Sequence, residues 1–407
     1  MPISTSSLWF TILLGIMLAF TPLGTDTFVP AMPTIARELG AEPGAVQFGV
    51  TTFFLGIAAG QLAWGPVSDR FGRRPTLLAG CTLFLVASIV CAAAGSVTEI
   101  VALRFVQGLG MSSGPVMARS IVRDLYTRER AARLLAEMIV VFSFVPIFGP
   151  LVAAALLTWF SWPAIFVLHA LFGAAVIAMT ILGLRETAPA ARASINPLRI
   201  AGNFGSLISD RRFLAPIATL LCTLAGIYSF VSNSAFALVQ GAGVTIVQYS
   251  VLFAVVMIGG VVGAWLSSRL VVRMGIARLV RVGTVIAGAT GLAIGMLAWL
   301  GVTHWAALIV PMTGYMFATS FILPNVTATA LSPFPNIAGA ASSLLGAITF
   351  ALGALISAVL GALFDGSMRP LATAMAIAGV SAFVVEAGLA RVAAAHARKE
   401  GSRNGES

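Results

Sequence analysis

Charge is what this chain has least of. Charged residues make up 9% of the 407 and hydrophobic ones 59%, whereas a globular domain carries about 25% charged residues. No soluble core needs that much apolar surface. Cysteine is sparse too: Cys81, Cys91 and Cys222 all lie inside apolar stretches and read as small buried hydrophobes, not as a disulfide frame or metal cluster. The histidines His169, His304 and His396 are far apart. HExxH, GxSxG and GxxxxGK[ST] are missing, which argues against a zinc protease, a serine hydrolase and an ATP-driven machine. No aromatic-interleaved basic patch points to nucleic acid. The start lacks a basic segment followed by a small-residue cleavage site, so no signal peptide is expected.

What is present is a series of long apolar runs. About 20 apolar residues cross one bilayer, and the runs predict an all-α integral membrane protein with twelve spans, at 8–31, 45–66, 76–96, 100–122, 134–157, 161–184, 213–235, 246–268, 279–301, 303–328, 337–361 and 370–392. The polar stretch between the sixth and seventh contains Pro189 and Pro197 and reads as a linker. The expected organisation is a six-helix half at 1–184, a linker at 185–212, a second half at 213–392 and a tail at 393–407. A cytoplasmic N-terminus places every basic residue except Arg37, Arg104 and Arg369 inside, so both termini are expected there. The net charge of +10 then reports orientation and contact with anionic lipid.

Trp64 to Pro75 is a dense polar turn between the second and third spans, holding Gly65, Asp69, Arg70, Gly72, Arg73 and Arg74. The end of the eighth span echoes it with Trp265, Arg269, Arg273 and Gly275 but has lost the acid matching Asp69. Such a repeat suits a transporter built from two pseudo-symmetric halves around a central path. Asp69 is expected to latch a cytoplasmic gate against the start of the eleventh span near Asn336 and Ile337, where a helix N-terminus favours an anion. Asp124 is expected to anchor Arg70 or Arg73. Glu137, four residues after Arg133, is assigned to the same gate or to a solvated helix end.

Inside the spans, Asp26 is the strongest signal. A carboxylate exposed to lipid costs several kcal/mol, so it must face the bundle interior, a wet cavity or a partner. It reads as a protonatable coupling or substrate group, or as half of a structural ion pair with Arg104, which lies at similar depth. Arg104 alone also has the option of snorkelling to the interface. Pro146, Gly149 and Pro150 predict a bend with a flat face in the fifth span. Met111, Tyr228, Asn233, Tyr315, Phe321 and Asn325 are candidates for an apolar cavity lining with a few polar groups, which would suit an amphiphilic organic molecule, or else for ordinary bundle packing.

Four stretches resemble signatures of the major facilitator superfamily, over residues 8 to 392. Gly65-Pro-Val-Ser-Asp-Arg-Phe-Gly-Arg-Arg-Pro75 is similar to the signature after the second helix, and Arg104-Phe-Val-Gln-Gly-Leu-Gly110 to that of the fourth. Gly149-Pro150, with Pro146 upstream, resembles the antiporter motif of the fifth, with Val152, Ala153 and Ala154 where small glycines are usual. Asp26-Thr-Phe-Val-Pro-Ala-Met-Pro33 resembles the first-helix signature of the bicyclomycin and chloramphenicol resistance branch. The resemblance implies a twelve-span drug:proton antiporter of a bacterial cytoplasmic membrane. It would work as a monomer without cofactor, with Asp26 and Arg104 in proton coupling and drug recognition. A proton-coupled transporter of a nucleoside, sugar or amino acid fits the same features, and a nontransporting receptor is a further alternative.

Overall fold

The computed structural model describes residues 8–126, 128–188 and 197–404, and among these the regular structure is entirely helical. In chain order the helices are α1 (Leu8–Asp26), α2 (Met32–Glu38), α3 (Pro43–Phe71), α4 (Arg73–Ala92), α5 (Val97–Met111), α6 (Ser113–Leu125), α7 (Arg128–Trp159) and α8 (Pro163–Gly183). There follow α9 (Pro197–Ile208), α10 (Arg211–Phe236), α11 (Ile246–Met274), α12 (Ile276–Trp299), α13 (Ala306–Leu331), α14 (Ala338–Ala362) and α15 (Arg369–Asn404). Among the described residues, eleven stretches are long and apolar enough to cross a membrane. They expose large side chains such as Leu171, Leu182 and Val310, a pattern that lipid tolerates and water does not.

Two departures from the expected spans have local causes. The first span runs on to Glu38 and is broken: a 3-10 turn at Val29–Ala31 separates α1 from α2. Pro30 has no N–H to offer the Asp26 carbonyl and Pro33 none for Val29, so the ladder cannot continue through this point. The expected fourth span is absent as one long helix, because α5 ends at Met111 and α6 starts at Ser113. Ser112 itself keeps helical dihedrals, φ −63 and ψ −16, while Pro115 has no N–H to offer the Met111 carbonyl.

The helices pack in two groups. In the first, α1 lies on α7, α3 on α5, and α4 on α5 and α8; in the second, α12 lies on α13 and α15, α11 on α13, and α10 on α13, α14 and α15. The groups meet through α3 against α14 and α7 against α11, while the 3-10 turn and α2 touch α10. Close approach of α3 to α5 depends on Gly108, where a Cβ would collide with the Phe53 carbonyl. The connection at 185–212, expected as a linker, contains α9, which packs on α10 and α14 and holds the buried Leu207 and the half-buried Phe204. The expected tail is helical to Asn404 as a continuation of α15.

Candidate functional site

The break after α1 assembles the centre of the first group. Asp26 is 5% exposed and accepts a hydrogen bond from Thr25 Oγ1 at 2.9 Å. Gly149 of α7 faces it: a Cβ there would lie 3.7 Å from Asp26 Cβ and 3.6 Å from Thr27 Cγ2. The Pro146–Pro150 face of α7 and the break in the first span, read separately in the sequence, are therefore one contact. Both α7 and the 3-10 turn also touch α11, whose Tyr249 shares a 2.9 Å hydrogen bond with Ser234 of α10.

Asp26 and Arg104 do not form an ion pair. Arg104 is fully buried, so it does not snorkel. Its Nη2 donates to Gly24 O at 2.9 Å, Nε to Gly49 O at 3.3 Å, and Nη1 to Gln107 Oε1 at 3.0 Å. Its guanidinium sits between the Phe28 and Phe53 rings, 4.3 and 3.8 Å from their centroids. Gln107 passes the chain on to Ser88 Oγ at 2.7 Å. The planar fork thus grips main-chain carbonyls of α1 and α3, and a cation held by carbonyls and ring faces needs no carboxylate.

Of the residues expected to line a cavity, Tyr228 stands where the groups meet, edge-on to Phe54 of α3 at 5.2 Å and near Phe350 of α14 at 6.3 Å. Asn233 lies beside α14, its Nδ2 donating to Leu360 O at 3.4 Å. The others make their contacts within one group. Met111 is buried against Gly24, Tyr315 donates its hydroxyl to Thr223 O at 3.0 Å within the second group, and Phe321 packs on Phe317 and against Gly283. Asn325 folds back onto Phe321 O of its own helix at 2.8 Å. Residue type marks these side chains as large or polar, but only the register of each helix decides which face they occupy.

A polar seam runs along the junction, of which only Asn233 was named from the sequence. Gln47 of α3 donates to Ser357 O at 3.2 Å; Gln47 Oε1, Thr51 Oγ1, Asn233 Oδ1 and Ser357 Oγ are buried without hydrogen-bond partners. His169 of α8 is equally unforeseen: fully buried, with Nε2 2.7 Å from Thr27 Oγ1. An isolated histidine in an apolar run gives no hint of what it meets.

The turn after α3 is a compact ion network. Gly72 has φ +102 and donates to Ser68 O at 3.0 Å, a backbone state for which glycine is suited. Arg73 Nη1 donates to Asp69 Oδ1 at 2.6 Å and to Ser68 Oγ at 2.7 Å, and Nε to Asp124 Oδ2 at 2.8 Å. Arg73, not Arg70, therefore meets Asp124; Arg70 stacks loosely on Phe71. Asp69 is turned to Arg73 rather than to the start of α14, where Arg123 lies beside Gly339 instead. Gly65 faces Ser343, and Arg74 Nη2 donates to Ile181 O at 3.1 Å. Glu137 is exposed, and its expected contact with the Arg133 side chain lies outside the described residues.

Glu186, just after α8, completes this network. Its carboxylate accepts from the main-chain N–H of Arg73 and Arg74 at 2.9 and 3.2 Å, and of Thr187 and Ala188 at 2.9 Å each. Partial burial works to raise its pKa, and these four N–H groups outweigh it and hold the carboxyl below its ordinary 4.5. A residue 113 positions away thus caps α4, a role that sequence distance hides.

This arrangement has relatives. The model of the Major Facilitator Superfamily matches residues 14–358. The chain belongs to that superfamily. A bicyclomycin resistance protein homolog of Haemophilus influenzae is 28% identical over 369 residues, covering 90% of this chain and 92% of its own. Multidrug resistance protein D of Escherichia coli is 30% identical over 371 residues, with 90% and 92% covered. Among solved structures, a POT family transporter in complex with a thioalcohol-conjugated peptide superposes with a TM-score of 0.76 at 14% identity, covering 97% of this chain and 98% of that one. A D-xylose-proton symporter gives 0.72 at 16%, covering 93% and 97%. At such identities the likeness is one of fold. Membership in the superfamily makes the chain a multi-pass membrane transporter of small organic molecules and not an enzyme.

Proposed function

We propose that the chain exchanges a small organic molecule for protons across a bacterial cytoplasmic membrane by alternating access, as a monomer with both termini inside. In this reading α5 and α6 form one crossing, giving twelve spans in two six-helix halves, 1–184 and 213–392, joined by the 185–212 connection and followed by a tail from 393. The observation that carries it is the carboxylate of Asp26, buried at a proline-broken point of the first span and pressed against the Gly149 face of α7. A carboxylate there is stable in neutral form and needs water, substrate or a partner when charged. Substrate and proton competing for that position would couple their movements. Arg104 supports the site by holding the Gly24 and Gly49 carbonyls, and the network of Asp69, Arg73, Asp124 and Glu186 braces the cytoplasmic side.

The substrate has two readings. The relatives named for resistance support export of amphiphilic drugs, within the bicyclomycin and chloramphenicol resistance branch. The seam of Gln47, Thr51, Asn233 and Ser357, together with the packing roles of Met111, Tyr315 and Phe321, supports a hydrogen-bonding metabolite such as a sugar, nucleoside or amino acid, and is the stronger support. Transport in proteoliposomes under an imposed pH gradient, across a panel of drugs and labelled metabolites, separates them. Asp26→Asn is expected to abolish proton-coupled movement while the protein stays folded. Coupled transport at the wild-type rate in that variant would remove Asp26 from the mechanism.

A further inference from the structure

His169 lies one residue from Asp26 through its partner, outside every role assigned above. Thr27 Oγ1 is 2.6 Å from Leu23 O and 2.7 Å from His169 Nε2. The hydroxyl has one proton, and the Leu23 carbonyl can only accept, so the hydroxyl donates to Leu23 and Nε2–H donates to the hydroxyl. That fixes the tautomer. Nδ1 then carries a lone pair and no proton, and it is buried without a partner, an arrangement better tolerated for an acceptor than for an N–H. A second proton on the ring would have to sit at Nδ1, in apolar surroundings: the Phe84 and Phe166 ring centroids lie 6.0 and 5.8 Å from that of the imidazole. The imidazole is therefore a fixed neutral donor.

What it holds is the last rung before the first span loses its own ladder, since Thr27 N–H still donates to Leu23 O at 3.3 Å. Arg104 fastens Gly24 from α5 and His169 fastens Thr27 from α8, leaving Asp26 between two anchored positions and facing Gly149. Resting on the proton-exchange reading of Asp26, we propose that His169 is a positioning residue that fixes the direction of the Asp26 carboxyl through Thr27, without itself taking up or releasing a proton. The ionisable groups around it are Asp26 on α1, Arg104 on α5, Cys91 of α4 beside Arg104, and Tyr249 on α11; α7 presents Gly149.

The test is proton-coupled transport in proteoliposomes over a range of pH for wild type, Thr27→Val, His169→Leu, His169→Gln and the Thr27→Val/His169→Leu pair. Loss of one buried hydrogen bond is expected to slow coupled transport about five-fold. Both single variants should move the midpoint of the pH profile by the same amount, and the pair should do no more than either. His169→Gln, whose amide N–H reaches the Nε2 position but does not titrate, should restore the wild-type profile. A His169→Gln protein that folds but loses coupling would make the histidine a proton carrier and overturn the proposal. So would a Thr27→Val protein with a wild-type profile. A wild type whose transport ignores the pH gradient would instead overturn the Asp26 reading, and this inference with it.

Discussion

The turn after α3 contains two carboxylates on one arginine, and their burial predicts unequal roles. The Arg73 side chain is 5% exposed, Asp124 9% and Asp69 47%. Removing one member of a buried pair leaves an uncompensated charge and costs about 3–5 kcal/mol; an exposed pair contributes about 0–1 kcal/mol. Asp124→Leu should therefore destabilise the purified protein by about 3 kcal/mol or more, over a hundred-fold in the folded population, and Asp69→Leu by about 1 kcal/mol or less. High salt should erase the Asp69 effect and leave the Asp124 effect, because screening reaches only the exposed pair. The Arg73→Met/Asp124→Leu pair should recover most of the loss, since no charge is then stranded. Thermal unfolding in detergent at low and high salt measures all of these. Equal losses for the two acids, or a double variant as damaged as Asp124→Leu, would refute the assignment of Asp124 as the principal partner.

Three further outcomes follow from the geometry. Glu186 has a folded-state pKa below its ordinary 4.5, so its contribution is complete above 4.5 and fades as pH falls through the lower folded value. The stability gap between wild type and Glu186→Gln should therefore close on acidification from neutral pH, as read by unfolding temperature. Gly149→Ala should transport normally, because its Cβ meets Thr27 and Asp26 at 3.6 and 3.7 Å, while Gly149→Val overpacks by about 1–3 kcal/mol and should lose transport in the same assay. Arg104→Lys cannot reproduce a fork that spans Gly24 O, Gly49 O and Gln107 Oε1; stranding one buried carbonyl costs about 1–3 kcal/mol, measurable as a lower unfolding temperature.

Most of the helices were legible because an apolar run of bilayer length has few alternatives to a helix. The prolines after Asp26 were legible as well, but as a motif and not as the interruption they impose. The division at Ser112 was not: its dihedrals stay helical, and Pro115, which has no N–H for the Met111 carbonyl, was not read as a break. Nor was α9, whose apolar residues are spaced along one face of a short polar segment and find partners only once α10 and α14 are in place. At the site, Asp26, Arg104 and Gly149 were identifiable as unusual residues in apolar surroundings, yet their partners were not. An arginine and an acid at similar depth invite pairing; the structure gives Arg104 carbonyls and aromatic faces, a choice set by rotation about helix axes that no linear spacing encodes. His169 and Glu186 act across more than a hundred residues, where local pattern has no reach.

The turns at Gly72 and Gly275 have the same backbone sense, φ +102 and +77, but different surroundings. A side chain added at Gly72 would strike Glu186, whereas at Gly275 it would meet nothing within 4 Å. One turn is cross-braced from α4, α6 and the end of α8, which ties α3 to α4; at the other, α11 and α12 still touch, but among the described residues no such ion network spans the turn. The repeated turns are thus unequally braced, and under the alternating access proposed above the second has more freedom to deform than the first.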